Sequence, residues 1–314
     1  MEETTGKIER PAAVLIAGPT ASGKSALALD VAVRLGGAVI NADSMQVYSG
    51  LHVLTARPDA EETACARHLL YGHVDPSQRY SVGRYLEDAA GAMERCGKDG
   101  LVPVFTGGTG LYFKALLEGL SPIPQVPDEV RAQVQARLET AGIEALRNEL
   151  VKADPELAAR HPALDAQRLI RALAVYRETG RPLSSWQEEP GTPLIDASRT
   201  VRLFLDPDRD WLYERIDRRF EAMIEQGALE EVRALVARID DTSLPAMRAH
   251  GVPHLAAHLR GEMSLEDAIS CGQADARHYA KRQKTWFRHQ MTGWDMLDPR
   301  GEKARERWLA GLAA

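Results

Sequence analysis

The octapeptide GPTASGKS, residues 18 to 25, constrains the fold of this chain more than any other stretch. It matches G-x-x-x-x-G-K-[ST], in which backbone amides wrap phosphate oxygens, the lysine neutralises charge and the hydroxyl can bind magnesium. Apolar AAVLIA precedes the motif and amphipathic SALALDVAVRL follows it, which predicts a buried strand, a glycine loop and a helix. The chain therefore begins as one unit of a parallel α/β sheet.

The same alternation recurs before residue 122. GAVINADSMQVY indicates a second strand that runs into a polar loop, and GLVPVFTGGTGLYFKALLEGL indicates a third strand, a glycine turn and a helix. In open parallel sheets, ligands bind beyond the carboxyl ends of the strands. We therefore expect the loops at Gly18, Asp43 and Thr109 to meet at one site.

The proline-rich segment GLSPIPQVPDE marks a change in character. Residues from about Val126 to Ser185 are rich in helix formers and lack a strand signal, whereas TVRLFLDPDRDWLYERIDRRFEAMIEQG returns to strand, turn and helix. The sequence thus predicts an α/β fold: a P-loop NTPase-like core, with a parallel sheet flanked by helices, interrupted by an all-helical insertion domain. The expected boundaries are 1–122 and 199–314 for the core and 123–198 for the insertion.

Composition narrows the functional class. The 314 residues are 44% hydrophobic and carry a net charge of −6, so bulk charge does not indicate a nucleic-acid binder, and such a role needs a local basic face. The three cysteines are far apart and lack zinc spacing, which favours a reduced cytosolic setting. The opening MEETTGKIERP lacks the apolar core of a signal peptide, and no run approaches the ~20 apolar residues of a membrane span. We expect a cytoplasmic monomer that does not enter a membrane.

A basic stripe is predicted on the last long helix, SLEDAISCGQADARHYAKRQKTWFRHQ. Its cations recur at helical spacing, with Tyr279 and Trp286 on the opposite side. The stripe consists of Arg277, Lys281, Lys284 and Arg288. Because RHYAKRQKTWFRHQ has five Lys or Arg and no acid in an acidic chain, the stripe favours a polyanionic partner, although a solubilising face remains the alternative.

Several single residues have two possible roles. Asp43 follows an apolar strand, where its carboxylate can act as a base or can cap the next turn. Thr109 in TGGTG can cap a helix or contact a substrate. Asp206, at the end of VRLFLD, is an ambiguous candidate for the second magnesium carboxylate of an ATPase. One of Arg215, Arg218 and Arg219 could reach a diphosphate, although most helical arginines are simply solvated.

Five blocks, GPTASGKS, NADSMQVY, GGTGLYFKALLEGL, QRLIRALAVY and YAKRQKTWFR, occur in an order and spacing that resemble the tRNA dimethylallyltransferase family, bacterial type. The resemblance runs from about Ala13 to Arg288. It implies that a dimethylallyl group passes from dimethylallyl diphosphate to the exocyclic amine of the adenosine 3′ of the anticodon, in tRNAs that read codons beginning with U. The phosphate loop would then hold the departing diphosphate with Mg²⁺.

The resemblance also implies roles for residues. Asp43 is the general base, Thr109 positions the reacting groups and Arg219 contacts diphosphate oxygens. The implied diphosphate-binding residues are Gly18, Pro19, Thr20, Ala21, Ser22, Gly23, Lys24 and Ser25, with Ser25 as the magnesium ligand. The implied contacts with the tRNA anticodon stem-loop are Asp43, Ser44, Met45, Gln46, Arg131, Gln167, Arg168, Leu169, Ile170, Arg171, Arg248, Lys281, Lys284 and Arg288. Leu169 and Ile170 are also core candidates by their spacing.

The chain departs from the family pattern in two places. Where the family commonly has D-I-G-T-A-K-P, this chain has HVLTARP, with Arg57 in place of lysine, which retains the charge but changes the geometry of a phosphate contact. Where G-Y-[KR] is usual, this chain has Gly251-Val252-Pro253, without the aromatic and the cation. The chain stops soon after LAGLAA with no zinc-finger extension, and by resemblance we expect a bacterial-type enzyme.

Three alternatives stay open from the sequence. A small-molecule or nucleoside kinase would use Lys24 on ATP and Asp43 on an acceptor hydroxyl. An adenylate isopentenyltransferase would prenylate a free nucleotide, and only the insertion and the last helix argue against it. A nucleotide-dependent RNA-binding module would have no chemistry.

Overall fold

The computed structural model describes residues 11–312, and the expectation about a leader peptide rests largely on residues outside this range. The described chain forms two compact units. One contains the residues up to Leu117 and from Leu194 onward, and the other is the insertion, Glu118–Pro193. The boundaries expected from the sequence, 122/123 and 198/199, fall a few residues later at both ends.

A parallel sheet organises the first unit. Its strands in the described residues are β1 (Ala13–Ala17), β2 (Gly37–Asn41), β3 (Arg67–Leu69), β4 (Val102–Gly107), β5 (Thr200–Leu205) and β6 (Asp295–Leu297). They pair in the order β3-β2-β4-β1-β5-β6, all parallel. The P-loop NTPase-like core predicted from the sequence is confirmed. The short edge strands β3 and β6 were not predicted.

Helices cover the sheet and extend beyond it. In the first unit they are α1 (Lys24–Leu35), α2 (Ala60–Cys65), α3 (Val82–Lys98), α4 (Gly110–Glu118), α9 (Arg209–Glu225), α10 (Ala228–Val236), α11 (Val252–Leu259), α12 (Leu265–Gln290) and α13 (Glu302–Leu312). None of the helices described between residues 11 and 312 is both long and apolar enough to cross a membrane.

The apolar strands explain why the sheet is central. Every residue of β1 is fully buried, because a parallel strand with helices on both faces needs apolar side chains in both directions. Residues of β1 pair with β4 on one side and with β5 on the other, and β2 lies next to β4. The loops after β1, β2 and β4 therefore leave the sheet at the same edge, as the sequence predicted.

The insertion is helical throughout its regular structure. It contains α5 (Asp128–Ala153), which breaks at Gly142, followed by α6 (Pro155–Arg160), α7 (Ala166–Thr179) and α8 (Leu183–Gln187). Buried Asp154 ties α6 to α8, because its carboxylate accepts from the Leu157 amide at 3.0 Å and from the Ser184 hydroxyl at 2.6 Å. The all-helical insertion expected from the sequence is confirmed.

Two expected tRNA contacts in the insertion are corrected. Leu169 is fully buried and Ile170 is nearly so, and both belong to the apolar core formed by α5, α7 and their neighbours. Burial keeps the Leu169 side chain from reaching an RNA surface. Gln167 and Arg168 are exposed on the same helix, and Arg171 is half-buried.

Close packing around Phe220 joins α9 to α11 and α12. Its ring lies against Gly272, where a Cβ atom would come within 2.3 Å of the ring. Gly251, in the departure segment, has a φ of 91° and would place a Cβ atom 2.8 Å from the same ring. Both positions therefore exclude side chains, and the loop before α11 is fixed against α9.

We predict that Gly272→Ala destabilises the protein by about 1–3 kcal/mol, because the added methyl group overpacks a closed site and displaces the Phe220 ring. The matched control is Gly91→Ala in α3, where a Cβ atom meets nothing within 4 Å. There alanine should stabilise by about 0.5–1 kcal/mol through its helix propensity. Urea denaturation measures both, and equal shifts of the same sign would contradict the packing argument.

Candidate active site

The phosphate loop, residues 18 to 25, joins β1 to α1 at the carboxyl edge of the sheet. Gly23 has a φ of 88°, a left-handed conformation that disfavours side chains, so the turn requires this second glycine of the motif. The first amides of α1 have no intrahelical partner, so the N–H groups of Lys24 and Ser25 face outward at the helix N-terminus. The Ser25 side chain is exposed beside them. This end of the loop is an anion-binding cradle.

The other end of the loop uses its amides inside the protein. The Gly18 and Ser22 amides donate to backbone carbonyls at 3.3 and 3.2 Å. The Thr20 amide donates to Gln283 Oε1 at 3.0 Å, and the Ser22 side chain is fully buried. Pro19 has no N–H, so the amides without an acceptor inside residues 11–312 are those of Ala21 and of Gly23 to Ser25. The expectation that the octapeptide binds the diphosphate stays a prediction.

Lys24 is poised for a negatively charged ligand. Its ammonium group donates to the Pro19 carbonyl at 3.2 Å. Burial lowers the pKa of Lys24 to about 8, an effect that Asp43 opposes and that Arg219 reinforces. An anion bound in the cradle would restore the charged form, because it would stabilise the ammonium that burial disfavours.

The structure distinguishes the three arginines of α9. Arg215 Nε donates to the Ala21 carbonyl at 3.0 Å and so holds the phosphate loop. Arg218 is exposed and lies 3.9 Å from Glu214. The Arg219 guanidinium, whose pKa is lowered by burial and by Arg215, makes no hydrogen bond within residues 11–312. Among the described residues, Arg219 is therefore the arginine of the three with all its donors left for a ligand, while Arg215 keeps its terminal amino groups unbonded at the same cavity.

Asp43 follows β2 and combines both roles considered from the sequence. Its Oδ1 accepts from the Met45 amide at 2.9 Å, which is the turn-capping contact. Asn41 fixes the same backbone, accepting from the Asp43 amide at 2.8 Å and donating to the Asp43 carbonyl at 2.9 Å. The carboxylate also lines a cavity next to the phosphate loop. Its second oxygen accepts no hydrogen bond from residues 11–312.

Thr109 connects the loop after β4 to the loop after β2. Its Oγ1 accepts from the Ser44 amide at 3.0 Å and lies 3.3 Å from the Ser44 hydroxyl. The Tyr279 side chain also lies close to Thr109. At Gly107 a Cβ atom would come 2.0 Å from the Ala42 carbonyl, so the two loops approach as closely as their backbones allow. Thr109 thus orients the loop that carries Asp43.

Gln283 of α12 ties these loops together. Its side chain is 5% exposed, accepts from the Thr20 amide at 3.0 Å and donates to the Gly108 carbonyl at 2.8 Å. A Cβ atom at Gly108 would lie 2.0 Å from the Gln283 amide nitrogen, and one at Gly110 would lie 2.1 Å from the Trp286 ring. The glycines of GGTG therefore make room for α12, a role that the sequence motif did not indicate.

Two cavities adjoin at this edge. The phosphate-loop cavity is lined by Ala21, Gly23, Lys24, Ser25, Ala26, Arg215, Arg218 and Arg219. The second, here called the acceptor cavity, is lined by Thr20, Ala21, Asp43, Met45, Leu54, Thr55, Ile216, Arg219, Phe220, Met223, Ala249, His250, Ala276 and Tyr279. Ala21 and Arg219 belong to both. One end of the acceptor cavity is therefore cationic, and most of its remaining wall is apolar.

Sequence reasoning missed part of this wall. His250 lies in the departure segment, and its ring is 4.5 Å from the ring of Tyr279, which the sequence suggested could merely pack in the core. Leu54 lies on a loop and Met223 on α9, and only the tertiary fold brings these two elements together at the cavity. In the sequence, only the histidine next to Gly251 could have indicated a polar residue in this wall.

The comparisons with known proteins agree with this geometry. The model of the IPP transferase family matches residues 46–290, and that of the isopentenyl transferase family matches residues 11–72. The chain belongs to the IPP transferase family. It is 54% identical over 297 residues to a tRNA dimethylallyltransferase of Bradyrhizobium sp. (strain ORS 278), covering 95% of this chain and 96% of the relative. A protein of the same name from Rhodopseudomonas palustris (strain ATCC BAA-98 / CGA009) is 56% identical over 290 residues, 92% of this chain and 90% of that one.

Solved structures of the family are also similar. The tRNA isopentenylpyrophosphate transferase of Bacillus halodurans is 34% identical with a TM-score of 0.67, covering 96% of this chain and 95% of that one. A eukaryotic dimethylallyltransferase described as acting on tRNA is 28% identical with a TM-score of 0.79, covering 95% of this chain and 77% of that one. The chain is therefore a transferase of this family along nearly its whole length.

The basic stripe of α12 is largely engaged within the protein. Lys284 lies 2.7 Å from an Asp206 carboxylate oxygen, and Arg288 lies 3.2 Å from the other oxygen. Arg277 pairs with Asp217 of α9. Three of the four cations of the stripe thus make ion pairs that dock α12, Arg288 stays largely exposed, and the RNA-facing stripe stays a prediction. Lys281 remains exposed, with no ion pair among the described residues.

The two departures from the family pattern also have structural roles. The Arg57 guanidinium packs over Gly72 and donates to the Tyr48 carbonyl at 3.4 Å, and Arg57 lines neither cavity. Val252 is fully buried. Arg248 stays exposed, with no hydrogen bond from its side chain within residues 11–312.

The loop of the predicted tRNA contacts at residues 43–46 is internally bonded. The Gln46 side chain donates to the carbonyls of Thr55 and Ala56 at 2.9 and 3.0 Å. Glu231 of α10 accepts from three consecutive amides, at residues 52 to 54, at 2.8 to 3.0 Å. These bonds shape the wall of the acceptor cavity and occupy the Gln46 donors.

We predict that Gln283→Leu destabilises the protein by about 1–3 kcal/mol, because it leaves the Thr20 amide and the Gly108 carbonyl buried without partners. The matched control is Gln290→Leu on the same helix, where the side chain is exposed and the change should stay within about 0.5 kcal/mol. Thermal denaturation of both variants measures the difference. Comparable losses would mean that the bridge adds nothing to the packing of α12.

Proposed function

We propose that this protein transfers a dimethylallyl group from dimethylallyl diphosphate to the exocyclic amine of the adenosine 3′ of the anticodon, in tRNAs that read codons beginning with U. Diphosphate is the leaving group. The names of its relatives, at 54–56% identity over more than 90% of the chain, support tRNA dimethylallyl transfer. A cytoplasmic location follows from a tRNA substrate.

One juxtaposition carries the proposal. The phosphate cradle and the Asp43 carboxylate open on adjoining cavities that share Ala21 and Arg219, and the acceptor cavity is otherwise mostly apolar. A prenyl diphosphate has the same division, with an anionic head and an apolar tail. A base beside the junction is where an incoming amine would meet the allylic carbon.

The leaving group is stabilised by fixed positive charge. The amides at the N-terminus of α1, the Lys24 ammonium and the Arg219 guanidinium would bind the diphosphate oxygens. As the bond between the allylic carbon and the diphosphate oxygen breaks, negative charge grows on that oxygen, and preorganised donors favour this charge over the ground state. Arg219 suits this role because its donors lack protein partners within residues 11–312.

Mg²⁺ is the proposed cofactor. The residues present fit it, because Ser25 offers a hydroxyl beside the cradle and no cluster of three or more His, Cys, Asp or Glu in the described chain suits a different metal. Mg²⁺ typically takes few protein ligands and completes its shell with phosphate oxygens and water. It would supply further charge neutralisation of the diphosphate.

Asp43 is the proposed general base. The lone pair of an adenine amine is delocalised into the ring, so loss of a proton to a carboxylate assists attack on the allylic carbon. Asn41 and Met45 hold Asp43 through the backbone and one carboxylate oxygen, which leaves the other oxygen for the amine. Thr109 would act as a positioning residue, through its bonds to Ser44.

The tRNA contacts are proposed separately for each unit. In the insertion, Arg131, Gln167, Arg168 and Arg171 offer polar groups, and like charge from Arg131 lowers the pKa of Arg171 together with burial. In the first unit the proposed contacts are the exposed cations Arg248, Lys281, Arg282 and Arg288. The adenosine has to leave its stack to reach the acceptor cavity, at a cost of a few kcal/mol.

The kinase alternative is weakened by Asp206. A phosphoryl transferase of this fold needs a carboxylate for magnesium near the end of an apolar strand. Asp206 is in that position, but its carboxylate is paired with Lys284 and Arg288. In the free protein this carboxylate is therefore engaged in docking α12.

The direct test incubates the purified protein with Mg²⁺, radiolabelled dimethylallyl diphosphate and either an anticodon stem-loop or AMP. Label in the stem-loop adenosine is the expected result. Label in AMP alone would move the protein to free-nucleotide prenylation. ATP consumption without prenyl transfer would favour the kinase.

We predict that Asp43→Asn lowers the single-turnover transfer rate at least about 10²-fold while tRNA binding changes less than about threefold. Asparagine keeps the acceptor for the Met45 amide, so the loop is retained. The matched control, Asp59→Asn, preserves the capping box at α2 away from the cavities and should transfer normally. Filter binding measures the tRNA affinity, and single-turnover assays measure the transfer rate. An equal fall in both for Asp43→Asn would reject Asp43 as the general base.

The pKa of Lys24 predicts the pH dependence of donor binding. The ammonium form binds the diphosphate, and in the free protein its population falls above a pKa of about 8. Affinity for dimethylallyl diphosphate should therefore decrease by up to about tenfold for each pH unit above that value. Titrations between pH 7 and 9.5 measure this. Lys24→Arg stays charged over this range, and an identical slope in that variant would assign the dependence to another group.

The two faces of α12 should respond differently to neutralisation. Lys281→Gln with Arg282→Gln should weaken binding of all tRNAs and flatten its salt dependence, because both side chains are exposed. Lys284→Gln should instead lower thermal stability, because it leaves Asp206 with one partner. Salt titrations and melting curves separate the effects. An unchanged salt slope in the double variant would mean that this face does not touch RNA.

A further inference from the structure

His250 is a polar group in the acceptor cavity that no step above uses. It belongs to the departure segment and precedes Gly251, whose φ of 91° and contact with Phe220 fix the backbone there. The neighbouring Ala249 and Val252 are buried. The imidazole is therefore held at the cavity wall by a constrained loop.

The orientation of the ring is set by Tyr279. The two rings lie 4.5 Å apart at 46°, and the Tyr279 side chain lies close to Thr109 and Gln283. On the other side, the Arg282 guanidinium lies 5.7 Å from the centre of the Tyr279 ring. This aromatic pair is thus attached to the same contacts that position the catalytic loops.

The ring nitrogens of His250 have no hydrogen-bond partner within residues 11–312. The ring is half-buried and lines the acceptor cavity, so a ligand bound there can pair with a ring nitrogen that forms no hydrogen bond with the described chain. Burial lowers the pKa of His250 and Arg282 reinforces the shift, whereas Asp43 and Asp275 oppose it. A neutral imidazole offers one N–H donor and one acceptor.

We propose that His250 is a base-recognition residue, whose imidazole N–H donates to a ring nitrogen, N1 or N7, beside the amine of the extruded adenine. This inference rests on the proposed function. The bond would hold the base in the plane in which its amine faces Asp43 and the allylic carbon. The dimethylallyl group cannot supply this partner because it has no polar atom. The apolar wall formed by Leu54, Phe220 and Met223 suits that group instead.

The experiment measures single-turnover transfer to anticodon stem-loops that carry adenosine, 1-deazaadenosine or 7-deazaadenosine at the target position. His250→Phe keeps a ring against Tyr279 but has no donor, and His250→Gln restores a donor on a flexible chain. The matched control is His278→Phe, at an exposed position on α12. Thermal denaturation checks folding for each variant.

We expect wild type to be about tenfold slower with one deaza acceptor, the one that lacks the recognised nitrogen. His250→Phe should be about tenfold slower with adenosine and should not distinguish that analogue from adenosine. His250→Gln should recover part of the difference, and His278→Phe should behave as wild type. This pattern identifies both the bond and the nitrogen.

The inference is overturned if His250→Phe transfers to adenosine at the wild-type rate, or if it slows all three acceptors by one factor. If the variants fail to fold, wild type alone still tests the inference. Equal transfer rates to adenosine and to both deaza acceptors would overturn it. Failure of wild type to label the adenosine stem-loop at all would reject the proposed function and this inference with it. If wild type labels the adenosine stem-loop and His250→Phe does so at the same rate, this inference alone is rejected.

Discussion

The bridge made by Gln283 is the interaction on which the site depends. Through one buried amide, α12 holds the Thr20 amide of the phosphate loop and the Gly108 carbonyl of the loop after β4. Thr109, the next residue along, bonds to Ser44 beside Asp43. The bridge therefore sets the separation between the phosphate loop and the loop that carries Asp43. A neutral amide suits this place because it both donates and accepts without adding charge beside an anion site.

The buried cations around the phosphate-loop cavity favour binding of an anionic ligand. Lys24, Arg215 and Arg219 lie around one cavity, and burial lowers the pKa of Lys24 and of Arg219. The negative charge of Asp43 offsets only part of the free-energy cost of burying these cations. A bound diphosphate would compensate the remaining positive charge, so the free protein stores unfavourable electrostatics that binding relieves.

The local parts of the fold were predictable, because each is encoded within a short window. The glycine motif between an apolar strand and an amphipathic helix specified β1, the loop and α1. The contacts that complete the site are not local: Thr20 and Gln283 are 263 residues apart, and nothing in either neighbourhood indicates the other. Periodicity likewise assigned Leu169 and the basic residues of α12 to faces of a helix. It could not say what each face would meet, so buried Leu169 was expected on an RNA surface and Lys284 was not expected to pair with Asp206.

The inner face of α12 contacts the loops of the site, and its outer face carries exposed cations. The segment YAKRQK contains a buried bridge, an inward ion pair and outward cations within six residues. The same few residues therefore serve folding and site geometry, and the outward cations are the ones proposed to bind RNA. Tyr279 and Gln283 lie one helical turn apart on the inner face, and both contact the loops that bear the reacting groups. The outward charge of Lys281 and Arg282 is separated from those contacts by a single turn. The helix that would bind the acceptor is thus the same rigid element that spaces the base from the phosphate cradle.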